Sequence, residues 1–447
     1  SNGQRGLPDP RFFWNERPAL ALLPKSDGDA GPHALLLDHV IPVTSAFVGV
    51  RRDIPIPPTT ATGATNSNLV ASGKERYDQL LISRRSKYRT GTRFTRRGAD
   101  DTGAVANYAE TEQICFVIGD TSAGGDNGNN GNGNDEGGNG NKRRELLEVY
   151  SHTQTRGSIP LRWSSPAKVQ EYRPRVYIGV DPVEQAYGLR NHLLGELSRC
   201  SSVDNLIGSD DKGRRKKSKH VQIGTKIAMV NLIDKHGDQG RLGNAFDSVL
   251  DAVMDVYNNG KKQTQMKEAA LPILGPNSIE HIWFDFHAEC KGGRYDRLAH
   301  LLDEVMPVLN EQGYFCAVPN MNDSNDEGGD VGWAIQRVQD GVVRTNCMDC
   351  LDRTNVVQSM FGRYMLHRQL HERPGLMRNG RKRTLPLEHV VGYKRQPLTL
   401  PWSSGESSHR HLWADNADAI SRLYAGTPAL KGDFTRTGTR TRRGALD

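Results

Sequence analysis

The stretch that most constrains this chain is Arg344-Thr345-Asn346-Cys347-Met348-Asp349-Cys350-Leu351-Asp352-Arg353-Thr354-Asn355. It follows a short strand-like run, Gly341-Val342-Val343. It precedes a periodic apolar segment, Val356 to Leu366, that reads as a helix. A cysteine, five residues and an arginine set between strand and helix predict a loop that cradles a phosphate group. Backbone N–H groups of such a loop point inward, and the helix N-terminus adds partial positive charge. Arg353 would grip two phosphate oxygens with its planar fork, which lysine cannot do. The same field lowers the pKa of a thiol held there, ordinarily ~8.5, which marks Cys347 as a thiolate nucleophile. Thr354 is placed to assist hydrolysis of a phospho-cysteine by hydrogen bonding the departing sulfur. A leaving oxygen needs a proton, and of the two loop carboxylates, Asp349 and Asp352, Asp349 is the favoured donor.

Two other readings of these residues stay open. Cys347 and Cys350 form a Cys-x-x-Cys pair, which elsewhere marks a redox or zinc site. No second such pair exists, His287 with Cys290 being the nearest candidate half-site, and neither chemistry explains the Arg353-Thr354-Asn355 continuation. A buried structural cysteine is the third reading.

The rest of the chain bounds the architecture. Its 447 residues suffice for two or three domains. A formal charge of +7 favours anionic partners without choosing among nucleic acid, lipid and phosphorylated substrates. Six scattered cysteines imply a reducing compartment rather than a disulfide framework. No run approaches the ~18–20 apolar residues of a membrane helix, and Ser1 is not an initiator methionine, so the chain is expected to be a fragment. Between 145 and 320, strand-like runs (Val176 to Val180, Lys226 to Ile233, Ile282 to Phe286) alternate with helix-like ones (Val183 to Leu197, Leu242 to Val256, Tyr295 to Leu309). That alternation predicts an α/β fold with a mixed sheet. The Gly/Asn-rich 120–142 segment and the polar 204–221 segment, with Arg214-Arg215-Lys216-Lys217, read as disordered insertions. An Asn/Asp/Gly loop falls at 320–331.

Arg344 to Asn355 resembles the signature of the Sac-domain (suppressor-of-actin) phosphoinositide phosphatases. Further blocks are similar to that family in its own order. They include Arg11-Phe12-Phe13-Trp14-Asn15, the strand within His39 to Val50, and Ser83 to Ile114 with Gly91-Thr92-Arg93 and Arg96-Arg97-Gly98. Gln154 to Pro160, Phe284-Asp285-Phe286-His287, Trp413 to Asp418 and Asp433 to Gly438 follow. The last of these resembles the integral-membrane endoplasmic reticulum and Golgi branch.

The resemblance implies a Sac catalytic domain over 51–447, preceded at 1–50 by the incomplete remnant of a small N-terminal subdomain. It implies phosphatidylinositol 4-phosphate as substrate, with 3-phosphate and 3,5-bisphosphate forms behind it, and neither metal nor nucleotide cofactor. Asn346, Met348, Cys350, Leu351, Asp352, Arg344 and Arg156 are the expected substrate-binding residues beside the catalytic Cys347, Arg353, Asp349 and Thr354. The expected partner is phosphoinositide lipid in an anionic membrane surface, with no nucleic acid. The expected location is the cytosolic face of the endoplasmic reticulum and Golgi, through membrane helices beyond Asp447. Arg84, Arg85, Lys87, Arg89, Arg93, Arg96, Arg97, Arg436, Arg440, Arg442 and Arg443 are candidates for a cationic face toward lipid, about half of them expected to make internal salt bridges or simply face water, with Glu110 and Glu112 as counterions. His287, in an apolar aromatic run, reads as a core histidine. A catalytically inactive, lipid-binding scaffold of the same fold is the competing expectation.

Overall fold

A computed structural model describes residues 9–19, 41–56, 75–121, 143–166, 175–201, 226–258, 278–320, 332–373 and 399–438. The 204–221 insertion, nearly all of the 120–142 and 320–331 segments, and Arg440, Arg442 and Arg443 lie outside the described residues.

The strands are β1 (Ala46–Pro55), β2 (Glu75–Arg85), β3 (Ala109–Thr121), β4 (Arg143–Ser158), β5 (Trp163–Ser164), β6 (Tyr177–Ile178), β7 (Ile227–Asn231), β8 (Ile279–Trp283), β9 (Phe315–Pro319), β10 (Trp333–Arg337) and β11 (Val342–Cys347). The helices are α1 (Glu16–Ala19), α2 (Pro182–Ser201), α3 (Gly237–Asn258), α4 (Phe286–Glu289), α5 (Leu298–Gln312), α6 (Asp352–His371), α7 (Ser403–Ala425) and α8 (Gly432–Thr437). Among the described residues nine strands form one mixed sheet along the order β1-β2-β3-β4-β11-β7-β8, with β9 also on β4 and β10 on β9. β5 and β6 pair separately. The expected α/β class and mixed sheet are therefore present.

β1 to β4 run antiparallel as sequential neighbours. From β4 onward the pairing turns parallel, β4 to β11, β11 to β7 and β7 to β8. The 16 residues of β4 serve two partners on one edge: Val149 to Ser151 pair with β9, and Gln154 to Ser158 with β11. β1 runs through the expected boundary at residue 50 and pairs with β2 in this same sheet.

Parallel strands covered on both faces read as unbroken apolar runs, and all five residues of β7 are buried. Alternate side chains go to opposite faces. Ala228 and Val230 join Val343 and Cys347 in a core with α5 and α6. Ile227 and Met229 join Val342 in a second core, with Leu189 and Leu193 of α2 and Leu242 and Phe246 of α3. A third contact brings α7 across the antiparallel half, where Leu412 and Trp413 meet Leu81 and Phe47.

Candidate active site

All six residues of β11 are buried, and the strand ends at Cys347, which is 1% exposed. After four intervening residues α6 begins at Asp352, so Arg353 stands in its first turn. The loop between them needs an unusual backbone. Cys350 takes a φ of +52°, which a non-glycine residue adopts only under tertiary constraint. Leu351, the residue before the helix, makes no side-chain cap. The amides of the first turn therefore lack the partner that a Ser, Thr, Asp or Asn cap supplies.

What holds this loop comes from far away in sequence. Arg97 Nη1 donates to the Met348 carbonyl at 2.7 Å and is ion-paired with Asp349 Oδ1. Arg93 Nη2 lies 2.6 Å from Asp349 Oδ2. Asn107 Nδ2 donates to the Asp349 carbonyl at 2.8 Å. Leu351 packs on Ile420 and Tyr424 of α7, and Asp352 Oδ1 accepts from the Lys431 amide at 3.1 Å. Both oxygens of Asp349 are thus engaged by guanidinium groups. A role as proton donor requires it to leave them; as found, it ties the loop to the 86–97 segment.

Arg353 Nη1 donates to the Leu232 carbonyl at 3.0 Å, to Gln239 Oε1 at 3.3 Å and to Asp234 Oδ1 at 3.4 Å. Burial alone depresses the Arg353 pKa, but the negative charges available to Cys347, Asp234 and Asp349 outweigh it and the net direction is up. Cys350 is fully buried, and its Sγ donates to the Cys347 carbonyl at 3.4 Å. Burial, reinforced by Cys347, pushes the Cys350 thiol up to about 12. Cys347 and Cys350 are both free thiols.

The remaining expected residues lie behind the loop. Arg344 is fully buried, donating from Nε to His192 Nε2 at 2.6 Å and from Nη2 to the Ser158 carbonyl at 2.9 Å. Arg156, 1% exposed, pairs in register with Thr345 and is held below its usual pKa range, to about 10, by burial. Asn346 and Thr354 are wholly buried, and their side-chain polar atoms have no hydrogen-bond partner among the described residues. Arg344, Asn346 and Arg156 thus form a buried polar bed under the loop.

Among the described residues, most of the expected cationic face is engaged in ion pairs and hydrogen bonds within the protein. Arg84 pairs with Glu110 and Glu112, as the sequence suggested, at 3.0 and 2.7 Å. Arg85 donates to the Leu423 and Gly91 carbonyls, Arg89 to those of Arg97 and Gly98, Lys87 pairs with Glu16, and Arg436 with Asp415 and Asp418. His287 is also not the core residue its neighbours suggest. Phe284 and Phe286 are buried, but the His287 side chain is 54% exposed, with Nδ1 2.9 Å from Asp234 Oδ1. Asp234, Gln239, Arg93, Arg97 and Asn107 complete the site without having been singled out for it. The only sequence signal was that Arg93, Arg97, Asn107 and His287 lie in family-like blocks.

Comparison with known proteins bears on the family of the chain. The SacI homology domain model matches residues 1–291. An uncharacterized protein of Schizosaccharomyces pombe is 30% identical over 98% of this chain and 53% of its own length. The Phosphatidylinositol-3-phosphatase SAC1 of Saccharomyces cerevisiae is 31% identical over 82% of this chain and 44% of its own. The Phosphoinositide phosphatase SAC6 of Arabidopsis thaliana is 32% identical over 86% of this chain and 47% of its own. The chain spans about half the length of the curated relatives it matches. With 291 of its 447 residues inside the family model, the chain belongs to the SacI homology domain family.

Proposed function

We propose that this chain is the catalytic part of a phosphoinositide phosphatase working through a phospho-cysteine at Cys347. The observation that carries the reading is the strand–loop–helix arrangement, with Cys347 closing β11 and Arg353 in the first turn of α6. The Cys347 thiolate attacks phosphorus, the bond to the inositol oxygen breaks, and water then releases phosphate from sulfur. Arg353 and the loop amides bind the phosphoryl oxygens as charge shifts onto them, and Arg344 and Arg156 supply positive charge from beneath. Thr354, next to Arg353, is the hydroxyl that meets the departing sulfur. Asp349 anchors the loop through Arg93 and Arg97. Met348, Cys350, Leu351 and Asp352 shape the cradle by their backbone.

The finer substrate we propose is phosphatidylinositol 4-phosphate, on the family resemblance. The 3-phosphate, which the name of the yeast relative carries, and the 3,5-bisphosphate are the comparison substrates. On the same resemblance we propose the cytosolic face of the endoplasmic reticulum or Golgi as the location of the full-length protein. Among the described residues no helix is long and apolar enough to cross a membrane.

The test is phosphate release from liposomes carrying each lipid in turn, with and without EDTA. Release should persist in EDTA and vanish in Cys347→Ser. It should fall by roughly 10²–10³-fold in Arg353→Lys, the loss expected when a transition-state donor is removed. A folded chain that binds the liposomes but releases nothing is a lipid-binding scaffold instead.

A further inference from the structure

β11, β7 and β8 run parallel and deliver their carboxyl ends to one edge of the sheet, where ligands sit in open α/β folds. Asn346 lies opposite Asn231, and Asn231 opposite Trp283. The residues that follow, Cys347, Leu232 and Phe284, therefore leave the sheet side by side. Asp234 comes two residues after Leu232, and His287 three after Phe284.

His287 Nδ1 donates to Asp234 Oδ1 at 2.9 Å, and that oxygen also accepts from Arg353 Nη1 at 3.4 Å. The other Asp234 oxygen accepts from Gln239 Nε2 at 2.8 Å. The turns that carry these side chains are tied together by Asp285, whose oxygens accept from the Lys235 and Ala288 amides at 2.8 and 2.9 Å. Imidazole and guanidinium are thus one carboxylate apart, the ring is half exposed, and the carboxylate engages Nδ1 rather than Nε2. A carboxylate on Nδ1 fixes the ring's tautomer and orientation.

We propose that His287, oriented by Asp234, is the proton donor and acceptor of the phosphatase reaction, an inference that rests on the reading above. In the first step the sulfur of Cys347 bonds to phosphorus. The phosphorus–oxygen bond to the inositol breaks with its electron pair on oxygen, and His287 Nε2 gives that oxygen its proton. In the second step neutral Nε2 takes a proton from water as the water oxygen bonds to phosphorus. The sulfur–phosphorus bond then breaks, returning thiolate, inorganic phosphate and the protonated ring.

First-turnover rates of His287→Gln decide the matter, measured on a short-chain phosphatidylinositol 4-phosphate and on 4-nitrophenyl phosphate. An inositol alkoxide needs a proton to leave, and a nitrophenolate does not. The variant is expected to lose roughly 10²–10⁴-fold on the inositol ester and at least tenfold less on the aryl ester. The ring is half exposed, and an unchanged melting temperature verifies that the variant keeps its fold. Equal losses on the two esters, or none on either, overturn the assignment. An unmodified chain that turns over neither ester, or a Cys347→Ser chain that keeps its turnover, removes the phosphatase reading and this inference with it.

Discussion

Arg97 is a residue on which the shape of the loop between Cys347 and Arg353 depends. It is 6% exposed and touches both the Met348 carbonyl and the Asp349 carboxylate, with the Trp163 ring 5.8 Å from its guanidinium carbon. Arg97→Ala leaves Asp349 to Arg93 alone and frees the carbonyl. We expect kcat to fall by roughly 10²-fold, the cost of about 1 Å of misplacement at a reacting centre, with a much smaller change in KM. A change confined to KM would assign Arg97 to lipid binding. Cys350→Ser, which leaves the proposed nucleophile in place, should keep most turnover, whereas losses equal to those of Cys347→Ser would favour redox chemistry. At this scale the sequence shows chemistry but not partners. Cys347, Arg353 and Thr354 declare themselves by spacing. The destination of Arg97 does not, because its partners lie about 250 positions away. His287 was misread for a related reason: local apolarity argues burial, while the turn after β8 sends Phe284 and Phe286 inward and the imidazole outward.

Among the elements, β11 is the one whose placement makes a site. Gly341 precedes it with a φ of +146°, and a Cβ there would meet Gln312 Cγ at 2.6 Å and the Lys226 carbonyl at 2.8 Å. The Val342 amide bonds that same carbonyl at 2.8 Å, so the strand has little room to shift. Gly341→Ala should destabilise the fold by about 1–3 kcal/mol, the range for a strained backbone position, read as a lower denaturation midpoint in urea. An unchanged midpoint would mean that the start of β11 yields at no cost. The strand and helix around the loop were legible because both follow local periodicity. Their position was not: insertion between β4 and β7 is decided by pairing between segments more than a hundred residues apart. The Ile282 to Phe286 run illustrates the limit, since the strand occupies Ile279–Trp283 and Phe286 already starts a helix.

For the whole molecule, buried histidines set the response to acid. Burial lowers His152 and His409 to about 3, and His281 and His371 to about 4. In the unfolded chain such a ring takes up a proton near ~6.5. Between those values the unfolded state binds more protons than the folded one. The stability these groups contribute is therefore complete above pH ~6.5 and is lost progressively as the pH falls toward 3. Melting temperatures from pH 7.5 to 4.5 should decline accordingly, and a flat profile would deny that these rings are buried neutral. The mixed sheet has a different consequence, for the order in which the protein can be made. β1 to β4 neighbour one another in sequence as well as in space, and can pair as they leave the ribosome. β11 is the last of the sheet's strands to be synthesised, yet it belongs between β4 and β7. A nascent chain stopped before residue 342 presents two bare strand edges, the condition that invites mispairing with other chains. The strand that closes this gap is the one that ends in Cys347, so completing the sheet and acquiring the proposed nucleophile are a single event.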